Sequence, residues 1–285
     1  MVKKNSKGPI YEGKAKKGNE WKIYHGDASE VICSQLDNNS IDCVVTSPPY
    51  FWLRDYGYKG QIGLEDSVEE YLRRLIQVMD GLQKVLKPSG LLFLNIGDTY
   101  YSGKGESQGV DKKSSKRRFG LRAVDRSGGM GIGLKAKTLI GIPSRIAMEM
   151  IQKGWVLRST IIWYRKHALP EAVKDRPRRS YEYVYMFAKS KKYYFNREPL
   201  NKVEQEDMWT ITARPKANGL GTAPYPDELV ERCLAIGCPA GGTVLDPFLG
   251  SGTTVRVAVE KGMNAIGIDL NKEFCDYTSK KIGVK

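Results

Sequence analysis

Residues 42–51, DCVVTSPPYF, set chemistry-bearing groups at the end of an apolar run. Asp42 to Thr46 read as a short buried strand, which Pro48 and Pro49 end because neither can donate to a sheet ladder. The strand end is then rich in acceptors: the Ser47 hydroxyl, and proline carbonyls with no competing N–H. Tyr50 and Phe51 place flat apolar faces beside them, so the stretch suits gripping a planar group by an amine. A proline pair at a strand end also serves simply to open a loop. A second stretch, VLDPFLGSGTT at 244–254, runs from an apolar strand into a glycine loop and a helix. That is how an α/β sheet opens a nucleotide site at its carboxyl edge.

Together the two stretches resemble the amino-methyltransferases of DNA, specifically the β-group, in which an SPPY motif precedes a DPFxGSGTT motif. The resemblance implies S-adenosyl-L-methionine as cofactor and a catalytic set of Ser47, Pro48, Pro49 and Tyr50. It places Asp246, Phe248, Gly250, Gly252 and Thr253 around the methionine portion, Asp269 on the ribose, and Asp27, in HGD at 25–27, on the adenine moiety. Asp27 reads equally as a helix N-cap, and Thr253 and Thr254 as caps of the following helix. Gly250 and Gly252 begin a G-x-G-x-x-G pattern whose third small position holds Val255. A ribose-binding acid at Asp269 without a full phosphate loop suits S-adenosylmethionine better than NAD. The family's usual His-x-Ala-x-Phe-Pro pattern is only partly present here, as Gly221, Ala223, Tyr225 and Pro226, so no contact is carried over from that histidine.

Composition narrows the class. The chain of 285 residues holds 46 Lys plus Arg against 32 Asp plus Glu, a formal charge of +14 that favours a polyanionic partner. Its five scattered cysteines form no CxxC pair, and its two histidines, His25 and His167, cannot supply HExxH chemistry, so no metal is expected. Without a signal peptide or an apolar run of spanning length, the expectation is a cytoplasmic protein in a reducing compartment with no membrane partner.

The elements that must position these groups alternate between strand and helix. Residues 1–20 read as a flexible basic arm and 21–285 as one methyltransferase domain. Trp21–Tyr24 reads as a strand, Ala28–Leu36 as a helix, and residues 51–65 as a mobile flap. Helical spacing of Val68, Tyr71, Leu72, Leu75, Ile76, Met79, Leu82 and Val85 predicts a helix over Asp66–Val85, stopped by KPSG at 87–90 before a strand LLFLNIG. Asp98 follows, placed either to line a pocket or, preferably, to cap a turn. Further expectations are a helix over Ile142–Gly154, a strand over Val156–Tyr164, a hairpin of YEYVYMFAK with KKYYFN, an irregular stretch at 199–222, and a helix over Pro226–Ile236. Residues 101–137 form a long basic insertion, the expected phosphate contact through Lys112, Lys113, Lys116, Arg117 and Arg118. The catalytic half is 21–164, the target-recognition region 165–222 with Arg176, Arg178 and Arg179 toward DNA, and the cofactor half 223–285.

Order along the chain completes the fold expectation. Only two strands belong to the cofactor end, whereas a doubly wound sheet needs several more, and these must come from the front. The fold class is therefore α/β: a circularly permuted Rossmann-like methyltransferase sheet with basic DNA-recognition insertions.

The expected activity is transfer of a methyl group to the N4 amine of a flipped cytosine in double-stranded DNA, since serine in SPPY is the family's commoner signature for cytosine. The alternatives are the adenine-N6 enzyme of the same fold and a DNA-binding protein that has lost catalysis. A C5 enzyme would need a cysteine nucleophile, and the one cysteine next to a proline, Cys238, lies away from both motifs. Double-stranded DNA is the expected partner; a cognate restriction endonuclease and a second copy of the chain are further candidates.

Overall fold

The computed structural model describes residues 8–101, 118–119, 134–166, 173–201, 203–212 and 224–283. Its centre is β3 (Ile41–Thr46), six residues that are all buried, as a β-branched apolar run in the middle of a parallel sheet must be. On one side β3 pairs in parallel with β10 (Thr243–Asp246), then β11 (Asn264–Asp269) and β2 (Glu20–His25) follow, also parallel. On the other side it pairs in parallel with β5 (Leu86–Ile96). Next come β8 (Tyr181–Ala188), antiparallel to β5, then β7 (Val156–Lys166), antiparallel to β8, and finally β9 (Met208–Thr212), parallel to β7. The short β1 (Tyr11–Lys14) closes the far edge antiparallel to β2. The sheet order is β1-β2-β11-β10-β3-β5-β8-β7-β9. Strands from the end of the chain thus lie between strands from its beginning, which is the circular permutation expected from motif order.

Period-two alternation divides the core between two faces. Leu92, Leu94 and Ile96 of β5 pack with α1 (Ala28–Gln35), α2 (Val68–Val85) and α3 (Ile142–Gln152). Leu91 and Phe93 pack with α4 (Asp227–Gly237), α5 (Thr253–Glu260) and Cys275 of α6 (Lys272–Gly283). All eight apolar positions named for α2 are buried, and its N-terminus is capped by Ser67, whose hydroxyl accepts from the Glu70 N–H at 3.1 Å.

Four local expectations are corrected. KPSG does not separate helix from strand: Ile41 pairs with Leu86 and Cys43 with Leu91, so residues 87–90 form a bulge within β5. Lys87 in that bulge is held by Asp42 at 2.8 Å. KKYYFN is not a strand; β8 takes its antiparallel partner from β7 instead. Its backbone is used elsewhere, with Tyr194 N–H donating to Ser89 at 2.8 Å and Asn196 N–H to Ile236 at 2.9 Å. Within 199–222, read as irregular, Met208–Thr212 is an edge strand whose Trp209 is buried in the second core. The segment 51–65 is fastened: Arg74 pairs with buried Glu65 at 3.0 Å and donates to Gln61 and Gly60 carbonyls, while Phe51, Trp52 and Ile62 are buried.

The basic insertion is described at its ends, where the Lys137 N–H donates to the Tyr101 carbonyl at 2.8 Å, and at one internal pairing. Arg54–Asp55 (β4) pairs antiparallel with Arg118–Phe119 (β6), which brings the backbone at Arg118 beside the segment after the SPPY motif. Residues 1–7 of the arm, and Lys112, Lys113, Lys116 and Arg117, lie outside the described residues. No helix among the described residues is long and apolar enough to cross a membrane, and none of their His, Cys, Asp or Glu side chains gather in a group of three that could hold a metal.

Candidate active site

Both motifs end at the same sheet edge because β3, β10, β11 and β2 run in parallel, and a cavity of about 610 Å³ opens there. Ser47, Pro48, Pro49 and Tyr50 line it, as do Asp27, Phe248, Gly250, Thr253 and Asp269. Asp246 and Gly252 do not line it; they support the loop from beneath. Of the arginines expected on DNA, Arg179 reaches the cavity and donates to the Asp98 carbonyl. Arg176 instead covers the Tyr100 ring at 3.9 Å, and Arg178 is exposed.

Asp246 joins the halves. It is buried, and its carboxylate accepts from the Thr46 hydroxyl at 2.7 Å, the Phe248 N–H at 3.1 Å and the Tyr225 hydroxyl at 3.1 Å. Burial pushes its carboxyl up, opposed by these donors. Thr46 ends β3 immediately before Ser47, so one side chain fixes the strand ends of two motifs 200 residues apart. Thr254 donates to the Val45 carbonyl at 3.2 Å and bonds the Tyr225 hydroxyl, which reinforces the same junction. The capping role considered for the two threonines is therefore replaced: the N-cap of α5 is Gly252, with φ 78° and no side-chain cap. A β-carbon there would lie 2.3 Å from Thr278 Cγ2, so both the backbone conformation and α6 require glycine.

At the catalytic loop, the Pro49 carbonyl is taken by the Tyr71 hydroxyl at 2.9 Å, whereas the Pro48 carbonyl accepts from none of the described residues. Ser47 donates a long hydrogen bond of 3.4 Å to the Tyr50 oxygen. Tyr50 itself donates to Glu182 Oε2 at 2.6 Å, and Asn95 Nδ2 reaches that same oxygen at 3.3 Å. Arg165 Nη1 donates to Glu182 Oε1 at 2.9 Å, and its buried Nε has no partner among the described residues. Burial and the Glu182 charge push the Tyr50 phenol well up, so it stays a donor. Its ring rests on bare backbone: a β-carbon at Gly97 would lie 2.7 Å from Tyr50 Cε2.

At the other end, Asp269 accepts from the Gly250 N–H at 2.7 Å and the Asn271 N–H at 2.8 Å. These donors oppose the effect of burial, which pushes the carboxyl up to about 7. Asn271 is buried, its Oδ1 taken by the Tyr58 hydroxyl at 2.7 Å and its Nδ2 without a partner among the described residues. Asp27 does cap α1, accepting from the Ser29 and Glu30 N–H groups at 2.9 and 3.2 Å, and lines the cavity as well. Asp98 likewise does both: it faces the cavity and accepts from Gly141 and Ile142 at the start of α3.

Residues 41–281 match the family model described as DNA methylase, of the N6/N4 methyltransferase type. The chain is 40% identical over 270 residues to the Type II methyltransferase M.SmaI of Serratia marcescens, covering 92% of this chain and 90% of that protein. This chain belongs to the N6/N4 DNA methylase family. The methylase is also 39% identical to the Type II methyltransferase M.Cfr9I of Citrobacter freundii, over 91% of this chain and 87% of that one. In fold it matches the PvuII cytosine-N4-specific DNA methyltransferase, with a TM-score of 0.71 at 20% identity over 98% of this chain and 93% of that one. It also matches a DNA modification methylase of Thermus thermophilus, TTHA0409, solved with S-adenosyl-L-methionine, with a TM-score of 0.63 at 24% identity over 92% of each chain.

Sequence reading missed Glu182, Arg165, Asn95, Asn271 and the role of Tyr225. Asn95 had a signal, an amide inside the apolar run LLFLNI. Glu182 and Arg165 had none: Glu182 is the lone charge of β8, Arg165 is one of three basic residues in β7, and only the pairing of the two strands brings them together.

Proposed function

We propose that this methylase transfers a methyl group from S-adenosyl-L-methionine to the N4 amine of a cytosine flipped out of double-stranded DNA. The observation that carries the reading is a pair of acceptors at one cavity edge beside the Tyr50 ring: the Ser47 hydroxyl, and the Pro48 carbonyl that takes no donor from the described residues. An exocyclic amine on an aromatic base is a poor nucleophile because its lone pair is delocalised into the ring. Acceptors that hold its protons turn the lone pair out of conjugation as the transition state forms. Tyr50 offers a stacking face, worth roughly 1–3 kcal/mol, against the few kcal/mol that base flipping requires.

The cofactor end fits the proposed group. Asp269 keeps a half-buried carboxylate suited to ribose hydroxyls, and the buried Asn271 Nδ2 supplies an unsatisfied donor near it. Asp27 would take the adenine moiety, while Phe248, Gly250 and Thr253 enclose the methionine portion, held by Asp246 and Gly252 from beneath. S-Adenosyl-L-methionine, when bound, supplies a sulfonium methyl that needs no further activation. The protein's own contribution is therefore position: the Thr46–Asp246 bond sets the amine-holding loop against the cofactor loop. Cys238 is buried and does not line the cavity, which supports direct N-methylation over a thiol-dependent C5 route.

Cytosine is preferred on the SPPY serine and on the stated specificity of the PvuII enzyme. The Type II relatives favour a modification role alongside a restriction endonuclease. Arg179 at the cavity, Arg176 over Tyr100, the exposed Arg178, and Lys112, Lys113, Lys116, Arg117 and Arg118 of the insertion are assigned to DNA. Nucleoside mass spectrometry after incubating DNA with the enzyme and isotopically labelled cofactor tests the reading. Label is expected in N4-methylcytosine; label in N6-methyladenine would overturn the base assignment, and label in 5-methylcytosine would overturn the mechanism as well.

A further inference from the structure

We propose that Glu182 is a positioning residue of the base pocket: its carboxylate fixes the Tyr50 ring in the plane against which a flipped base stacks. The inference rests on the reading of Tyr50 as the stacking platform. Glu182 sits on β8, outside both motifs, yet receives a donor from each of three neighbouring elements. Tyr50 of the catalytic loop and Asn95 of β5 share Oε2 at 2.6 and 3.3 Å, and Arg165 of β7 holds Oε1 at 2.9 Å.

A tyrosine ring is free to swing about two side-chain torsions unless its far end is tied. Here the Cε2 side of the ring leans on Gly97, where a β-carbon would come within 2.7 Å of it, and the hydroxyl is tied to Glu182. A steric contact along the Cε2 edge and a directional bond at the hydroxyl together fix the ring plane while it still lines the cavity. An ionised acceptor does this better than an amide, since charge-assisted hydrogen bonds are about twice as strong as neutral ones. Arg165 holds the acceptor in place; the two side chains are only 23% and 14% exposed for Arg165 and Glu182, so solvent screens the pair little.

The competing account makes Glu182 a mere counter-ion for Arg165, with the Tyr50 contact incidental. A double-mutant cycle of Tyr50→Phe and Glu182→Gln separates the two, because both changes are near-isosteric and spare the fold. The readouts are kcat/KM on a duplex carrying the methylated site, located by modification-sensitive sequencing of DNA treated with the parent enzyme, thermal stability, and the fluorescence lifetime of 2-aminopurine at the target position. Each single variant is expected to lose roughly tenfold in kcat/KM and to lengthen the lifetime by loosening the stack, with S-adenosylmethionine affinity unchanged. The double variant is expected to be no worse than either single one. Glu182→Gln behaving as the parent, or losses that multiply in the double variant, would overturn the inference. Tyr50→Ala is the control on the underlying reading: an unaltered lifetime there overturns the platform itself and the role of Glu182 with it.

Discussion

At the scale of single residues, Asp269 is where chemistry and stability oppose each other. Its carboxyl is pushed up to about 7 by burial, with backbone donors from Gly250 and Asn271 holding it partly down. A carboxyl raised in the folded state contributes stability that is full below its unfolded value, near 3.8, and that is lost as pH rises through about 7. In the cofactor-free protein, thermal stability should decline across that window, and Asp269→Asn should flatten the decline. Ribose hydroxyls donate best to the ionised form, so calorimetric affinity for S-adenosylmethionine should rise as pH passes about 7, where the free carboxyl ionises. Asp269→Asn should weaken binding about tenfold or more, since a hydrogen bond to a charged group is worth about 1.5–3 kcal/mol. Equal affinity in parent and variant would remove Asp269 from the ribose site.

At the scale of elements, α3 and α5 start at left-handed glycines without side-chain caps of their own. α3 begins at Gly141, with φ 80° and no capping side chain from its own turn. Asp98, at the end of β5, supplies the missing acceptor to the Gly141 and Ile142 N–H groups, each at 3.1 Å, and to Thr99 at 2.9 Å. The strand end is thereby tied to the helix start across the pocket wall. Asp98→Ala should lower stability by about 1–2 kcal/mol, the loss expected for an N-cap. For a chain of this size that is a fall of roughly 2–8 °C in Tm, readable by circular dichroism. An unchanged Tm would mean that water replaces the carboxylate at no loss.

At the scale of the whole molecule, a charge of +14 and a cavity at the sheet's carboxyl edge belong to one task, presenting a polyanion to a concave site. The pairing of Arg54–Asp55 with Arg118–Phe119 carries the basic insertion to the segment after the SPPY motif. Neutralising Lys112, Lys113, Arg117 and Arg118 together should flatten the salt dependence of DNA binding, by about 0.9 in log–log slope for each phosphate that the loop ceases to neutralise. Sequence preference should survive, because phosphate contacts position and do not specify. A slope identical to the parent's would assign the run to solvent.

Period and motif order alone determined much of this protein. The α2 face, the burial of β3, the convergence of the SPPY and DPFLGSGTT stretches and the permuted sheet follow from local alternation and from which loop precedes which, and those are properties of the chain read in one dimension. Tertiary structure decided what depends on register and on partners distant in sequence. Met208–Thr212 became a strand because β7 offered an edge, although five residues flanked by polar chain gave no strand signal of their own. Asp246 proved to be the tie between motifs, since its partner Thr46 lies 200 residues away. Glu182 and Arg165 meet because β7 and β8 pair antiparallel, a long-range choice made by the packing of the whole sheet and written in no short stretch of sequence.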